Sequence, residues 1–313
     1  MQNLGYACIN MTLSNKNPKK NVSTNRGMIK RTFQKKGSLY ASELALKNLD
    51  DLSQIIKWNQ DHSINFFRIS SCVFPWASEY SIRELSNFSS LLSSAQRAGS
   101  LAKSTGMRLT SHPGPFNKLC SPKEGVVANT IRDLEIHGEL FDMIGLSRTP
   151  YNKINIHVGA AYDSKQVALD TFCSNFERLP ASVQSRLTVE NDDRQSLYST
   201  HELYEGVYKR IGIPIVFDYH HHKFNTGGLS EQEALELSAS TWGDITPVTH
   251  YSQSRSVEHN DPKIKANAHS DSYWTPVETY GLDVDVMLEC KHKELGLFKM
   301  RELMNDQLCL AAK

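Results

Sequence analysis

Histidine and carboxylate side chains recur in this sequence at the ends of short apolar runs. His112 ends RLTSHPG, His157 ends INIHVG, Glu190 ends LTVEND, Asp218 and His221 end IVFDYHHH, His250 ends TPVTHY, and Glu289 ends VDVMLEC. One such residue after a strand is ordinarily a hydrogen-bonded turn residue. Six such tips in succession are different, because imidazoles and carboxylates converging on one rim crowd unpaired charge unless cations neutralise it. Mixed nitrogen and oxygen donors suit Mn, Fe or Zn, and the absence of a thiolate-rich set argues against a purely structural zinc site. The pattern predicts a polynuclear metal site, with His269 folding back from the loop after the seventh run. Such sites suit hydrolysis of a phosphodiester, because water is activated and the leaving oxygen stabilised at one place.

The elements that must position these residues read as repeated βα units. Strand candidates are 4–9, 66–70, 108–111, 154–157, 187–190, 215–218, 247–250 and 284–289. They alternate with helical patterns such as SELALKNLDDLSQIIKWNQ, where Leu44, Leu49, Leu52, Ile55 and Ile56 form a stripe of helical period. Ser199 with Glu202 and Ser230 with Glu233 have capping-box spacing. Gly106, Gly145, Gly212 and Gly281 stand where left-handed caps would end helices. Eight strands alternating with helices predict an α/β fold, a single (β/α)8 TIM barrel over residues 1–313. The longest irregular stretches, 11–37 and 251–274, both follow strands and so project over the face where such barrels place their sites.

Six scattered cysteines with no CxxC pair read as reduced thiols, Cys72 and Cys290 as buried ones near the rim. Neither a secretory leader nor a membrane-spanning run is apparent, which points to an intracellular protein. The net charge of +1 is uninformative about nucleic acid, because what matters is local charge facing phosphates. Between Met11 and Gly37 lie eight basic residues, Lys16, Lys19, Lys20, Arg26, Lys30, Arg31, Lys35 and Lys36, and no acidic one. Hung over a metal rim, this stretch would meet a polyanionic backbone.

The segments LGYACINMTL, FFRISSCVFPWASEY, SHPG, NIHVGAAYDSK, TVENDDR, FDYHHHKFN, THYSQS and MLECKHKE, in that order over nearly the whole chain, resemble the UV damage endonucleases. The resemblance implies a barrel of the xylose isomerase and endonuclease IV type, with up to three divalent ions at its C-terminal mouth, usually Mn2+, with Zn2+ and Mg2+ as alternatives. It implies a nick 5′ to cyclobutane dimers and 6-4 photoproducts in double-stranded DNA, and in some members at abasic sites, by a monomer that needs no membrane. The ligands implied are His112, His157, Glu190, Asp218, His221, His250, His269 and Glu289. Glu190, Glu289 and His250 would sit at the reacting centre, and Lys291 would touch phosphate. Tyr6 and Asn10 would lie by the lesion, with Lys16, Lys19, Lys20, Arg26, Lys30 and Arg31 on the DNA. Relatives commonly follow SHPG with Gln and an aromatic residue that probe the duplex. Pro115 and Phe116 stand here, so the apolar wedge is kept and the polar partner is lost. Val248 replaces a lysine that some members carboxylate, and Cys72 replaces a histidine found in others.

Two other enzymes fit the same rim of ligands, an apurinic endonuclease and a sugar isomerase-like metalloenzyme. The isomerase would have no use for residues 16–36. A catalytically silent lesion-binding protein would not need an intact ligand set.

Overall fold

Eight short runs pair in chain order as parallel neighbours, and the last pairs with the first to close a barrel. They are β1 (Leu4–Ala7), β2 (Phe66–Ile69), β3 (Arg108–Ser111), β4 (Ile154–Ile156), β5 (Leu187–Glu190), β6 (Ile215–Asp218), β7 (Val248–Tyr251) and β8 (Asp285–Leu288). This computed structural model describes residues 3–17 and 19–311. Every expected strand is present, with ends displaced by at most two residues. β1 stops before Cys8, whose φ of 69° leaves extended backbone. β7 starts one residue after Pro247, which has no N–H to donate.

Helices α1 (Lys30–Asp61), α2 (Phe88–Thr105), α3 (Glu124–Ile144) and α4 (Lys165–Phe176) follow the first four strands. The expected stripe of α1 is buried, with Leu49, Leu52, Ile55 and Ile56 fully enclosed against the sheet. Both capping boxes form at Ser199 and Ser230. Gly106, Gly145 and Gly212 end helices in the left-handed conformation. Gly281 is also left-handed, but it lies in a turn closed by Leu282 N donating to Thr279 O (2.9 Å), not at a helix end.

The two long loops depart from expectation in instructive ways. Residues 30–36, expected to be irregular, form the first turns of α1, and the break falls at Gly37 (φ 64°, ψ −164°). Phe33 holds that segment down by stacking on Trp76, with ring centroids 5.6 Å apart. Upstream, the buried Glu294 carboxylate accepts Met11 N (2.9 Å), Thr12 N (2.7 Å) and Thr12 Oγ1 (2.9 Å), tying the loop after β1 to the barrel. Between β7 and β8 the described residues contain only one short helix, Arg255–Glu258. The loop instead doubles back, bridging Ser254 to His269 and returning Ser270 N to Gln253 O (2.8 Å).

The lumen is the unusual part of the barrel. Side chains two residues apart on a strand share a face, so the ligand-type tips continue downward as Asn155 and Lys153 below His157, and as Thr110 and Arg108 below His112. Among the described residues a small apolar cluster, including Ala7, Phe66, Val216, Val248 and Met287, packs beside them. At the floor, Arg108 pairs with Asp285 at 2.8 Å and donates to the carbonyls of Tyr151 (2.8 Å) and Thr246 (2.9 Å). No helix of the described residues is long and apolar enough to cross a membrane.

Candidate metal centre at the barrel mouth

Glu190, the last residue of β5, is the hub. Its Oε2 lies 3.0 Å from His112 Nε2 and 3.1 Å from His250 Nδ1, and accepts Asn155 Nδ2. Its Oε1 lies 3.3 Å from His221 Nδ1 and 3.8 Å from His157 Nε2. Glu289, just past β8, is a second centre, with Oε1 at 3.3 Å from His250 Nδ1 and Oε2 at 3.7 Å from His269 Nδ1. Asp218 caps the turn that carries His221 by accepting His221 N (2.8 Å). Three groups of ligand atoms result: His112, Glu190 and His250; His157, Glu190 and His221; Asp218, His250 and Glu289. All eight side chains expected as ligands therefore meet at one mouth, His269 on its more open side.

The donor set suits divalent cations. Asp218 Oδ2 and His250 Nδ1 are buried without a well-directed hydrogen bond, although Nδ1 faces two carboxylates. Buried polar atoms left unsatisfied in this way are rare unless an ion or water completes them. Two imidazoles have an oxygen behind them, on the nitrogen opposite the one that faces Glu190, His112 Nδ1 at 3.1 Å from Pro113 O and His157 Nδ1 at 3.1 Å from Asp192 Oδ1, while the Nδ1 atoms of His221 and His269 that face the cluster also lie against Asn191 O (2.9 Å) and Glu289 O (3.1 Å). Outer partners of this kind fix ring orientation and raise ligand basicity.

The electrostatics express the same crowding. Burial would push the Glu190 carboxyl up, yet His250, His157 and His112 hold it well below the usual range. Burial likewise opposes ionisation of Glu289, and Arg68 with His250 reverses it. Asp218 has no such surplus of cations, and burial raises it to about 6. His221, against the desolvation that would lower it, is raised to about 9 by Asp218 and Glu190. Burial lowers His250 to about 4 and Lys153 to about 7.

Several residues of this centre were not singled out from the sequence. Arg68 of β2 pairs with Glu289, Asp192 backs His157, and Lys153 Nζ lies 3.1 Å from His250 Nε2. Lys153 and Asn155 carry a usable signal, since they stand four and two residues before His157 and must share its face. Arg68 occupies the same kind of position on β2.

Other expected contacts fall elsewhere. Tyr6 is fully buried, its hydroxyl donating to Asn59 Oδ1 (2.7 Å) and accepting from Asn10 Nδ2 (2.9 Å). Asn10 is buried too, and its Oδ1 accepts Leu13 N (2.9 Å). Both side chains, expected beside the lesion, are enclosed here and brace the base of the first loop. Arg26 is committed to Asp51 (2.6 Å) and to the carbonyls of Ser23 and Asn21. Lys16, Lys19, Lys20, Lys30 and Arg31 are exposed. Lys291 is half-exposed, with Nζ 3.9 Å from Asp271. Pro115 and Phe116 protrude, Phe116 70% exposed between clefts of about 510 and 330 Å³. Cys72 is exposed rather than buried, whereas Cys290 is buried as expected. Val248 is enclosed in the lumen, where a cation ligand is not available from its side chain.

Fold and site define a (β/α)8 barrel with a histidine and carboxylate cluster at its C-terminal mouth. A family model described as UV-endonuclease UvdE matches residues 2–310, and the chain belongs to that family. A UV-damage endonuclease from Schizosaccharomyces pombe is 34% identical over 95% of this chain, but the chain spans only 50% of that relative. A UV DNA damage endonuclease from Clostridium perfringens is 30% identical over 95% of this chain and 69% of its own length. The crystal structure of SacUVDE superposes with a TM-score of 0.83 at 28% identity, covering 98% of this chain and 99% of its own. A D-tagatose 3-epimerase-like protein, at TM-score 0.54 and 14% identity over 81% of this chain and 92% of its own, shares the fold alone.

Proposed function

We propose that this chain is a metal-dependent DNA repair endonuclease that hydrolyses the phosphodiester 5′ to cyclobutane dimers and 6-4 photoproducts, and acts also at abasic sites. The observation that carries this reading is the Glu190 carboxylate between two pairs of imidazoles at the mouth of a barrel whose family is the UvdE UV-endonucleases. The cluster would hold up to three divalent cations, Mn2+ first among them, with Zn2+ and Mg2+ as alternatives. Bound there, such cations supply water that ionises near neutral pH and positive charge for the leaving oxygen.

The chain's own residues then divide the work. Glu190 and Glu289 draw the His112, His157, His221, His250 and His269 rings around common points, and Asp218 completes the third group. Exposed Lys16, Lys19, Lys20, Lys30 and Arg31 engage phosphates on the flanks, and Lys291 engages one nearer the centre. Phe116 enters the opened step as an apolar wedge, and damaged pairs yield to it because they cost less to unstack. The reading also takes the protein as a single-domain monomer working on double-stranded DNA inside the cell.

Purified protein with Mn2+ should nick a duplex holding one dimer on its 5′ side. Glu289→Gln or complete chelation should abolish the nick, and persistence after chelation overturns metal dependence. Duplexes with a 6-4 product or an abasic site in the same assay separate this reading from an apurinic endonuclease, which would cut the abasic site in preference to the dimer.

A further inference from the structure

His250 is held differently from its neighbours. His112, His157, His221 and His269 each set Nδ1 against an oxygen acceptor. His250 likewise turns Nδ1 to oxygen, Glu190 Oε2 (3.1 Å) and Glu289 Oε1 (3.3 Å), but among these five rings it is the one whose Nε2 lies against an amine, Lys153 Nζ at 3.1 Å. Lys153 immediately precedes β4, while His250 belongs to β7. The two strands are separated by β5 and β6 on one side of the barrel, so the lysine crosses the lumen to reach the ring. It is fully buried, and His250 is its side chain's hydrogen-bonding contact. An amine enclosed in this way is costly unless it is paired or hydrogen-bonded, and His250 Nε2 is the partner it meets. The nearest residue of β7 on the same face, Val248, offers no polar side-chain atom to pair with it.

We propose that Lys153 is a positioning residue for the cation site: its amine, reaching across the barrel from β4, holds the His250 ring by Nε2 so that Nδ1 is presented between Glu190 and Glu289. His250 belongs to two of the three ligand groups, so its orientation governs both. This inference rests on the metal-centre reading above.

The test measures Mn2+ binding by competition with a chelator, independently of nicking, for wild type, Lys153→Met, His250→Ala and the double variant. Lys153→Met should fold, with a metal-free unfolding midpoint no lower than wild type, and bind Mn2+ about 10- to 100-fold more weakly. The double variant should bind no more weakly than His250→Ala, because the lysine acts through that ring. If Lys153→Met does not fold, Lys153→Gln takes its place in the same cycle. Undiminished binding by the lysine variant overturns the inference, as does a loss that multiplies with that of His250→Ala, which would make Lys153 a general counter-charge. A wild-type chain that binds no Mn2+ overturns the metal reading and this inference together. Wild-type binding weakened by His250→Ala but not by the lysine variant overturns this inference alone.

Discussion

At the scale of single residues, the mouth of the barrel holds protons that a cation bound there would have to displace. Burial raises Asp218 to about 6, and His221 is raised to about 9 by Asp218 and Glu190 against its own desolvation. Both shifts keep protons on ligand atoms at higher pH, so cation affinity should climb as pH rises from about 5 to about 9. Near pH 7, His221 still holds its proton while Asp218 has mostly lost its own. Mn2+ added to weakly buffered protein should therefore release about one proton from this pair. Affinity that is flat across this range would show that these two groups are not ligands. Asp192 acts at the same scale from behind His157. Asp192→Asn should lower Mn2+ affinity by about 10- to 100-fold while leaving the fold intact by circular dichroism.

At the scale of elements, stability and substrate engagement depend on different ends of the strands. The floor ion pair joins β3 to β8, with Arg108 fully buried and Asp285 nearly so. Asp285→Asn leaves the guanidinium without its counter-charge and should cost about 3–5 kcal/mol in denaturant unfolding, far from the site and with little change in cation binding. At the mouth, Phe33 fixes the basic first turns of α1 against Trp76 while Gly37 separates them from the remainder of the helix. Phe33→Ala should cost about 1 kcal/mol, speed amide exchange over 30–36, and weaken binding to a dimer-containing duplex. Unchanged duplex affinity with faster exchange would mean that the segment does not lie on the DNA.

At the scale of the whole molecule, an even charge balance conceals an uneven distribution. Exposed Lys30, Arg31 and Lys35 stand together on one segment near the mouth. Replacing the three by Gln should flatten the salt dependence of duplex binding by about 0.9 in log K against log salt for each phosphate contact removed. An unchanged slope would place the duplex elsewhere. Saturation of the centre should stabilise the chain globally as well. With Mn2+ at about 100 times its dissociation constant, unfolding free energy should rise by about 2.7 kcal/mol over the chelated protein.

The strand positions and the residues at their tips were legible without coordinates, because short apolar runs and glycine or capping signals are local properties of a chain. His112, His157, Glu190, Asp218, His221, His250 and Glu289 could be named for the same reason: a closed parallel barrel brings every C-terminal strand end to one rim. His269 could be suspected but not placed, since its return depends on the backbone bridge to Ser254. What only the tertiary structure decided are contacts between residues far apart in sequence. The enclosure of Tyr6 against Asn59, the diversion of Arg26 to Asp51 and the reach of Lys153 to His250 are of this kind. Periodicity tells which side of a strand a side chain leaves from, whereas its partner across the lumen is set by the barrel's closure and by which buried charges must find one another.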